Sequence, residues 1–508
     1  MCRRWDQPAD RGPVPRTLPG LLRRPAPGAE GRGGEGGDGR RTVRHTVGRR
    51  GAAAAACLLT LSLATACENG ESVTAPPPTG DASGTITVAS GLDLTAGGGV
   101  RQRLIAEWNH RNPEHRAELV ELSGDADEQR SQLLGALQSG STSYDVVNLD
   151  VTWVPEFAEA GLISPLDGEI DLGDFIDRVA DTATWKGNLY SVPFNSDVGL
   201  LYYRQDYLKG AGIPHLRGAN AGWSWDDLGD TIDTLDKQEG LPASYLNGWT
   251  SQLDSYEGLT VNVIEAFASA GVRLTDEEGR YTADESELRE GLDSLRDRAG
   301  EKRLLPRALE SNEADSLADF AAGRTAFLRH WPYAYGVLRG ALPKGSFDVT
   351  RLPGRAALGG QNLAVAADSP RGRWALKLIE FLTGPESERC LLEAGFAATR
   401  ESAYSDSSVT CELADGAADG TEGGTPASLE EGEEVRPVPV DAAGRPVYAS
   451  ELHDALTEAE SRPRTPYYGA LTQVLQSHVH RWLERDFRDP GAVADSLDRE
   501  LREVLKGH

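Results

Sequence analysis

From Thr85 onward, short apolar runs alternate with stretches of helical period, and this alternation limits the possible fold more than any other feature of the chain. Thr85 to Ala89 (TITVA) reads as a strand. Val100, Leu104, Ile105 and Trp108 recur at helical spacing, and Asn112-Pro113 ends that helix. Ala117 to Leu122 reads as a second strand, Glu128 to Leu137 as a second helix, and Tyr144 to Leu149 (YDVVNL) as a buried third strand. A helix from Pro155 to Ala160 follows, closed by Gly161. Strands alternating with helices predict an α/β fold with a parallel sheet. Ligands of such sheets sit beyond the carboxyl ends of the strands. That places Asn148, Asp150 and Trp153, at the end of the third strand, where a ligand is expected.

The chain ahead of this body has a different character. Residues 1–42 are rich in Arg, Gly and Pro and lack any apolar periodicity. They read either as a leader from a start assigned too early, with the true one near Val43 or Val47, or as a disordered tail. Gly51 to Ala66 (GAAAAACLLTLSLATA) follows Arg49 and Arg50 and ends at Cys67. A positive flank, a short apolar run and small residues at its end describe an export signal. The run is shorter than the roughly 20 residues a spanning helix needs. Ala64-Thr65-Ala66-Cys67 resembles a bacterial lipobox, with the usual Leu one position early at Leu63. Cys67 is therefore the expected lipidation site, and the protein is expected on the outer face of the cell membrane. Residues 67–84 then read as a flexible Gly, Ser, Thr and Pro tether.

Charge and cysteine content narrow the function. The chain carries a net charge of −27, and its first 66 residues hold 12 Arg against 5 acidic residues, so the body is still more acidic. Nucleic acid is excluded as a partner, because its phosphates demand clustered Lys and Arg. Beyond Cys67 only Cys390 and Cys411 remain, either as one disulfide suited to an oxidising compartment or as two buried thiols. No P-loop, no GxGxxG after a strand and no GxSxG is present. His110 and His115 straddle a proline, and His478 and His480 fall on different helix faces, so neither pair has zinc spacing. Neither a metal nor a cofactor is expected.

Longer stretches carry a family resemblance. YDVVNLDVTWVPEFAEAGLISPLD and LYSVPFNSDVGLLYYRQDYL, followed by QLDSYEGLTVNVIEAFASAG, FAAGRTAFLRHWPYAYGVL, LGGQNLAVAADSP, RWALKLIEFLTGPES and RPRTPYYGALTQVL, resemble the extracellular solute-binding family 1 of carbohydrate ABC transporters, which includes maltose-binding proteins. The likeness runs with gaps over most of 85–480. It departs at Leu200, where a small residue is usual, and at Arg204, where Asn or Asp is frequent. The acidic stretch from Ser405 to Pro446 reads as a long exposed loop or insertion.

The resemblance implies a two-lobed periplasmic-binding-protein fold of type II, with a hinge and the ligand in the cleft between lobes. Lobe one is expected over 85–196 and 361–398, and lobe two over 197–360 and 399–508. Crossings are expected near Asn195–Gly199, Gly359–Asn362 and Ala397–Arg400. Sugars present apolar C–H faces and a rim of hydroxyls, which call for aromatic rings beside carboxylates and amides. Carried onto this sequence, the cleft residues are Asp150, Trp153, Asn195, Asp197, Tyr256 and Glu257, then Trp331, Tyr333, Gly360, Gln361 and Tyr467. Trp153 serves equally well as packing between helix and sheet, and Asp150 as a helix cap. Tyr202 and Tyr203, in an unbroken apolar run, are expected in the core, and Trp223 and Trp225 at a helix start.

The function this predicts is that of a monomeric, lipid-anchored receptor, not an enzyme. It would bind a mono- or oligosaccharide by hinge closure and deliver it to the membrane subunits of an ABC permease. A surface sensor of the same fold and an exported carbohydrate-cleaving enzyme are the alternatives.

Overall fold

The apolar alternation that opens the body becomes a sheet in the computed structural model, which describes residues 77–91, 99–140, 142–214, 216, 223–299, 303–413, 439–442, 445–485 and 487–506. The leader, the export signal, Cys67 and most of the acidic 405–446 stretch lie outside the described residues. Residues 71–508 form one unit, to which everything below refers. Strand β1 (Ile86–Ser90) pairs in parallel with β2 (Ala117–Glu121) on one side and β3 (Val146–Asp150) on the other. The connecting helices are Val100–Arg111, which buries Val100, Leu104, Ile105 and Trp108, and Ala126–Gln138. Asp125 caps the second of these, its carboxylate accepting from the Glu128 amide at 2.9 Å. A helix over Val154–Glu159 follows β3.

The sheet is not all parallel, contrary to the reading of its first half. A hairpin of β4 (Thr184–Trp185) and β5 (Asn188–Leu189) precedes β6 (Val192–Val198). The chain passes Gly199 and enters a second sheet, made of β7 (Leu200–Tyr203), β8 (Asn247–Thr250), β9 (Thr325–His330) and β10 (Asp348–Arg351) in the order β10-β7-β9-β8. It returns through residues 352–356 into β11 (Ala357–Val365), which lies antiparallel between β3 and β6. The return comes from the far sheet rather than through a covering helix, so nothing forces it to run parallel. β11 runs unbroken from Ala357, so residues 357–360 already belong to the first sheet, and the division expected between 360 and 361 falls inside that strand. Last, β12 (Glu460–Ser461) joins the edge of β11 beside β3.

A buried ion pair lies where the chain changes sheets. Arg329 and Glu265 are each 1 % exposed and meet at 2.6 Å. The same Glu265 oxygen accepts from the amide of Ala357, and a Cβ on Gly199 would stand 2.2 Å from it. A side chain at Gly199 would have to displace this carboxylate from its buried pair. Tyr202 and Tyr203 are fully buried in β7. Ser224 begins the helix Trp225–Leu235 with a capping box closed by Asp227.

The end of the stretch read as a tether is fastened to the body. The Ala82 amide donates to Pro370 O at 2.9 Å, Arg373 N to Gly80 O at 2.9 Å, and the Trp374 indole to Asp81 at 3.0 Å. Cys390 and Cys411 are joined by a disulfide.

Candidate functional site

The carboxyl ends of β1 and β3, the middle of β11 and the loops of the second sheet enclose a cavity of about 190 Å³. The first sheet supplies Asp150 at the end of β3, Asn195 and Asp197 from β6, and Gly360 and Gln361 from β11. The second layer supplies Tyr256 and Glu257 at the start of the helix Glu257–Ser269, and Trp331 and Tyr333 between β9 and the helix Ala334–Ala341. Nine residues expected around a ligand are thus brought together.

Two are not. Trp153 is 3 % exposed and packs in the hydrophobic core with Val154 and Phe157, where it begins the helix after β3. Tyr467 is 41 % exposed ahead of the helix Tyr468–Leu483, and it is the neighbouring Tyr468 whose hydroxyl points inward to Glu257. Adjacent positions at a helix start diverge by about 100°, so only one of the two tyrosines can face the site.

Gly360 is required by the backbone. Its φ is +111°, and a Cβ would lie 2.5 Å from Asn195 O, beside the register shift in the β11–β6 pairing. Gly359 is the neighbouring gap: a Cβ there would stand 3.1 Å from both the Asp197 Cβ and the Trp331 ring. Trp331 therefore sits close over the strand, with the Arg329 guanidinium 3.9 Å from its ring centroid.

The sequence reading did not single out the two arginines that organise the site. Arg462 is 4 % exposed and lies just past β12. It donates through Nη2 to both oxygens of Asp150 at 2.8 and 2.9 Å, through Nη1 to Glu257 at 2.8 Å, and through Nε to Leu358 O at 3.3 Å. Glu257 also accepts from Tyr468 and from Thr472 at 2.8 Å. Asp150 further accepts from the amide and hydroxyl of Thr152. Arg101 donates through Nη1 to Ser90 Oγ and Gly91 O, and through Nη2 to Asn195 Oδ1 and Gln361 Oε1, all at 3.0–3.1 Å. Its guanidinium lies near the rings of Phe194 and Phe396. Glu313, also missed, opens the helix Glu313–Ala321 and accepts from the Tyr256 hydroxyl at 2.7 Å and the Trp331 indole at 3.4 Å. One signal for Arg101 was available: a cation in the first turn opposes the helix dipole and needs a reason. Glu313 looked like an ordinary first-turn acid.

Burial perturbs the acids. Desolvation pushes the Asp197 carboxyl up to about 7, against the pull of Arg101 and helped by the charge of Asp150. Glu257 is likewise pushed to about 7 by desolvation, against Arg462, with Asp150 again adding to the rise. The Asp197 side chain makes no hydrogen bond or ion pair with any described residue, and its Oδ1 is buried without a partner.

A mixed α/β fold with two sheets bridged by passing strands, and a polar, aromatic-edged cavity between their layers, defines a two-lobed binding protein. The chain belongs to the bacterial extracellular solute-binding protein family, whose pattern matches residues 93–389. It is 25 % identical over 402 residues to a Deinococcus radiodurans protein named a probable ABC transporter-binding protein, covering 76 % of this chain and 86 % of the relative. It is 26 % identical to the sn-glycerol-3-phosphate-binding periplasmic protein UgpB of Salmonella typhimurium, over 51 % of this chain and 60 % of that protein. The maltose-bound MalE3 structure from T. maritima superposes with a TM-score of 0.68 at 25 % identity, covering 83 % of this chain and all of that one. The family and these neighbours are binding proteins, not enzymes.

Proposed function

We propose that this protein is the solute receptor of an ABC importer, anchored through Cys67 outside the cell, and that its ligand is a carbohydrate. The supporting observation is the pairing of Trp331, Tyr333 and Tyr256 with Asp197, Glu313 and Gln361 around one cavity. Rings cover the C–H face of a sugar while carboxylates and amides take its hydroxyls. The sugar enters an open form, the lobes close about the crossings near Gly199 and Ala357, and the closed monomer presents it to the permease. Ligand drives closure only by its greater affinity for the closed state.

The test is a thermal-shift panel of mono-, di- and oligosaccharides. Ligand at 100 times its dissociation constant stabilises by about 2.7 kcal/mol. Trp331→Ala should weaken the best sugar by at least about tenfold, equivalent to about 1.4 kcal/mol, while the variant stays folded. A folded, ligand-free protein that responds to no sugar would refute the carbohydrate reading.

A further inference from the structure

Among the described residues, the cavity walls carry two guanidinium groups, Arg101 and Arg462, and four carboxyl groups, Asp150, Asp197, Glu257 and Glu313. Both cations are spent on the protein. Arg462 is matched by Asp150 and Glu257. The four Nη hydrogens of Arg101 are committed to four neutral oxygens, and the residue is 5 % exposed. Neither can offer the open fork that binds a phosphate or carboxylate.

The acids are spent unequally. Asp150 and Glu257 serve Arg462, and Glu313 holds Tyr256 and Trp331. Asp197 alone of the four lacks a partner among the described residues. It stands on β6 directly opposite Gly359 of β11, the position over which the Trp331 ring also closes. An unfilled acceptor thus lies beside a stacking face, and the wall as a whole is more acidic than basic.

Taking the carbohydrate reading above as its basis, we infer that the site accepts a sugar that is uncharged or bears an amine, and excludes phosphate- and carboxylate-bearing sugars and glycerol phosphates. Asp197 sets this choice, receiving a hydroxyl or ammonium donor from the ligand. The cavity thereby differs in charge preference from what a relative named for sn-glycerol 3-phosphate would need. An anion would meet the Asp197 and Glu313 carboxyls with no unfilled guanidinium fork among the described residues to receive it, and like-charge juxtaposition disfavours the wrong ligand.

The experiment uses the full chain and matched sets: glucose, galactose and mannose, each with its 2-amino-2-deoxy form, its 6-phosphate and its uronic acid, together with sn-glycerol 3-phosphate. Calorimetry should find at least one neutral sugar bound, its amine form bound at least as tightly, and its phosphate and uronate weaker by about 100-fold or more. Asp197→Asn should weaken the amine form relative to the neutral one by about tenfold. Anionic forms binding as well as neutral ones would overturn the charge preference while leaving a carbohydrate receptor. An unchanged amine-to-neutral ratio in Asp197→Asn would remove Asp197 from its role. Binding of sn-glycerol 3-phosphate with no sugar bound would overturn this inference and the carbohydrate reading together.

Discussion

Replacing Arg462 by Ala should destabilise the protein strongly, and more so at pH 8 than at pH 5. The side chain is 2 % exposed and sits between Asp150 and Glu257. Its removal strands two buried carboxylates, and breaking a buried ion pair costs about 3–5 kcal/mol. For the unit 71–508, at about 2.1 cal/mol/K per residue, the unfolding entropy is about 0.9 kcal/mol/K, so the melting temperature should fall by about 3–5 °C. Without the guanidinium, the folded-state pKa of Glu257, already pushed to about 7, rises further. The penalty attaches to the ionised carboxylate, so it is full at pH 8 and relieved as pH falls toward 5. Adding Asp150→Asn and Glu257→Gln to Arg462→Met removes the stranded charges and should recover most of the loss. Calorimetric melting of the three proteins at both pH values is the assay. A loss of under 1 kcal/mol, or one equal at the two pH values, would refute the assignment of Arg462 as the ionic centre of the cleft.

In the unliganded wild type, Asp197 and Glu257 have folded-state pKa values raised to about 7. The stability linked to their protonated forms is complete below about pH 4 and is lost as pH rises through 7. Melting temperature should therefore fall from pH 5 to pH 8, and Asp197→Asn should flatten that slope; a steeper or unchanged slope would contradict it. Gly360→Ala, at φ +111° and 2.5 Å from Asn195 O, should cost at least about 1–3 kcal/mol from backbone strain alone and weaken sugar binding, as denaturant midpoints and titration would show. Gly212→Ala, with φ +71° but no atom within 4 Å of the added Cβ, should cost less. Replacing Cys390 and Cys411 by Ser opens a loop spanning 21 positions and should lower stability by about 3 kcal/mol, an effect that reduction of the wild type should reproduce.

Local order was readable where a single element carries its own pattern. The stripe Val100, Leu104, Ile105 and Trp108 gave a helix that the structure places at Val100–Arg111, and the strand read from Ala117 to Leu122 appears as Ala117–Glu121. What pairs with β3 was not readable, because β11 arrives some 200 positions later and nothing in its composition states its direction. The WPY turn was visible as a break after β9, so Trp331 and Tyr333 could be placed at the cavity. Trp153 was misplaced because a tryptophan after a strand looks the same whether it faces ligand or core. Arg462 was missed because its partners, Asp150 and Glu257, lie 312 and 205 positions away. An ionic knot of that kind exists only once the chain has crossed and returned.

The Glu265 carboxylate touches both strands that pass between the sheets: it fills the space over Gly199 and holds the amide of Ala357. Neither strand can twist without disturbing the same dry, charge-paired oxygen. The two strand passages are consequently coupled through one carboxylate, so a change at either one is felt at the other.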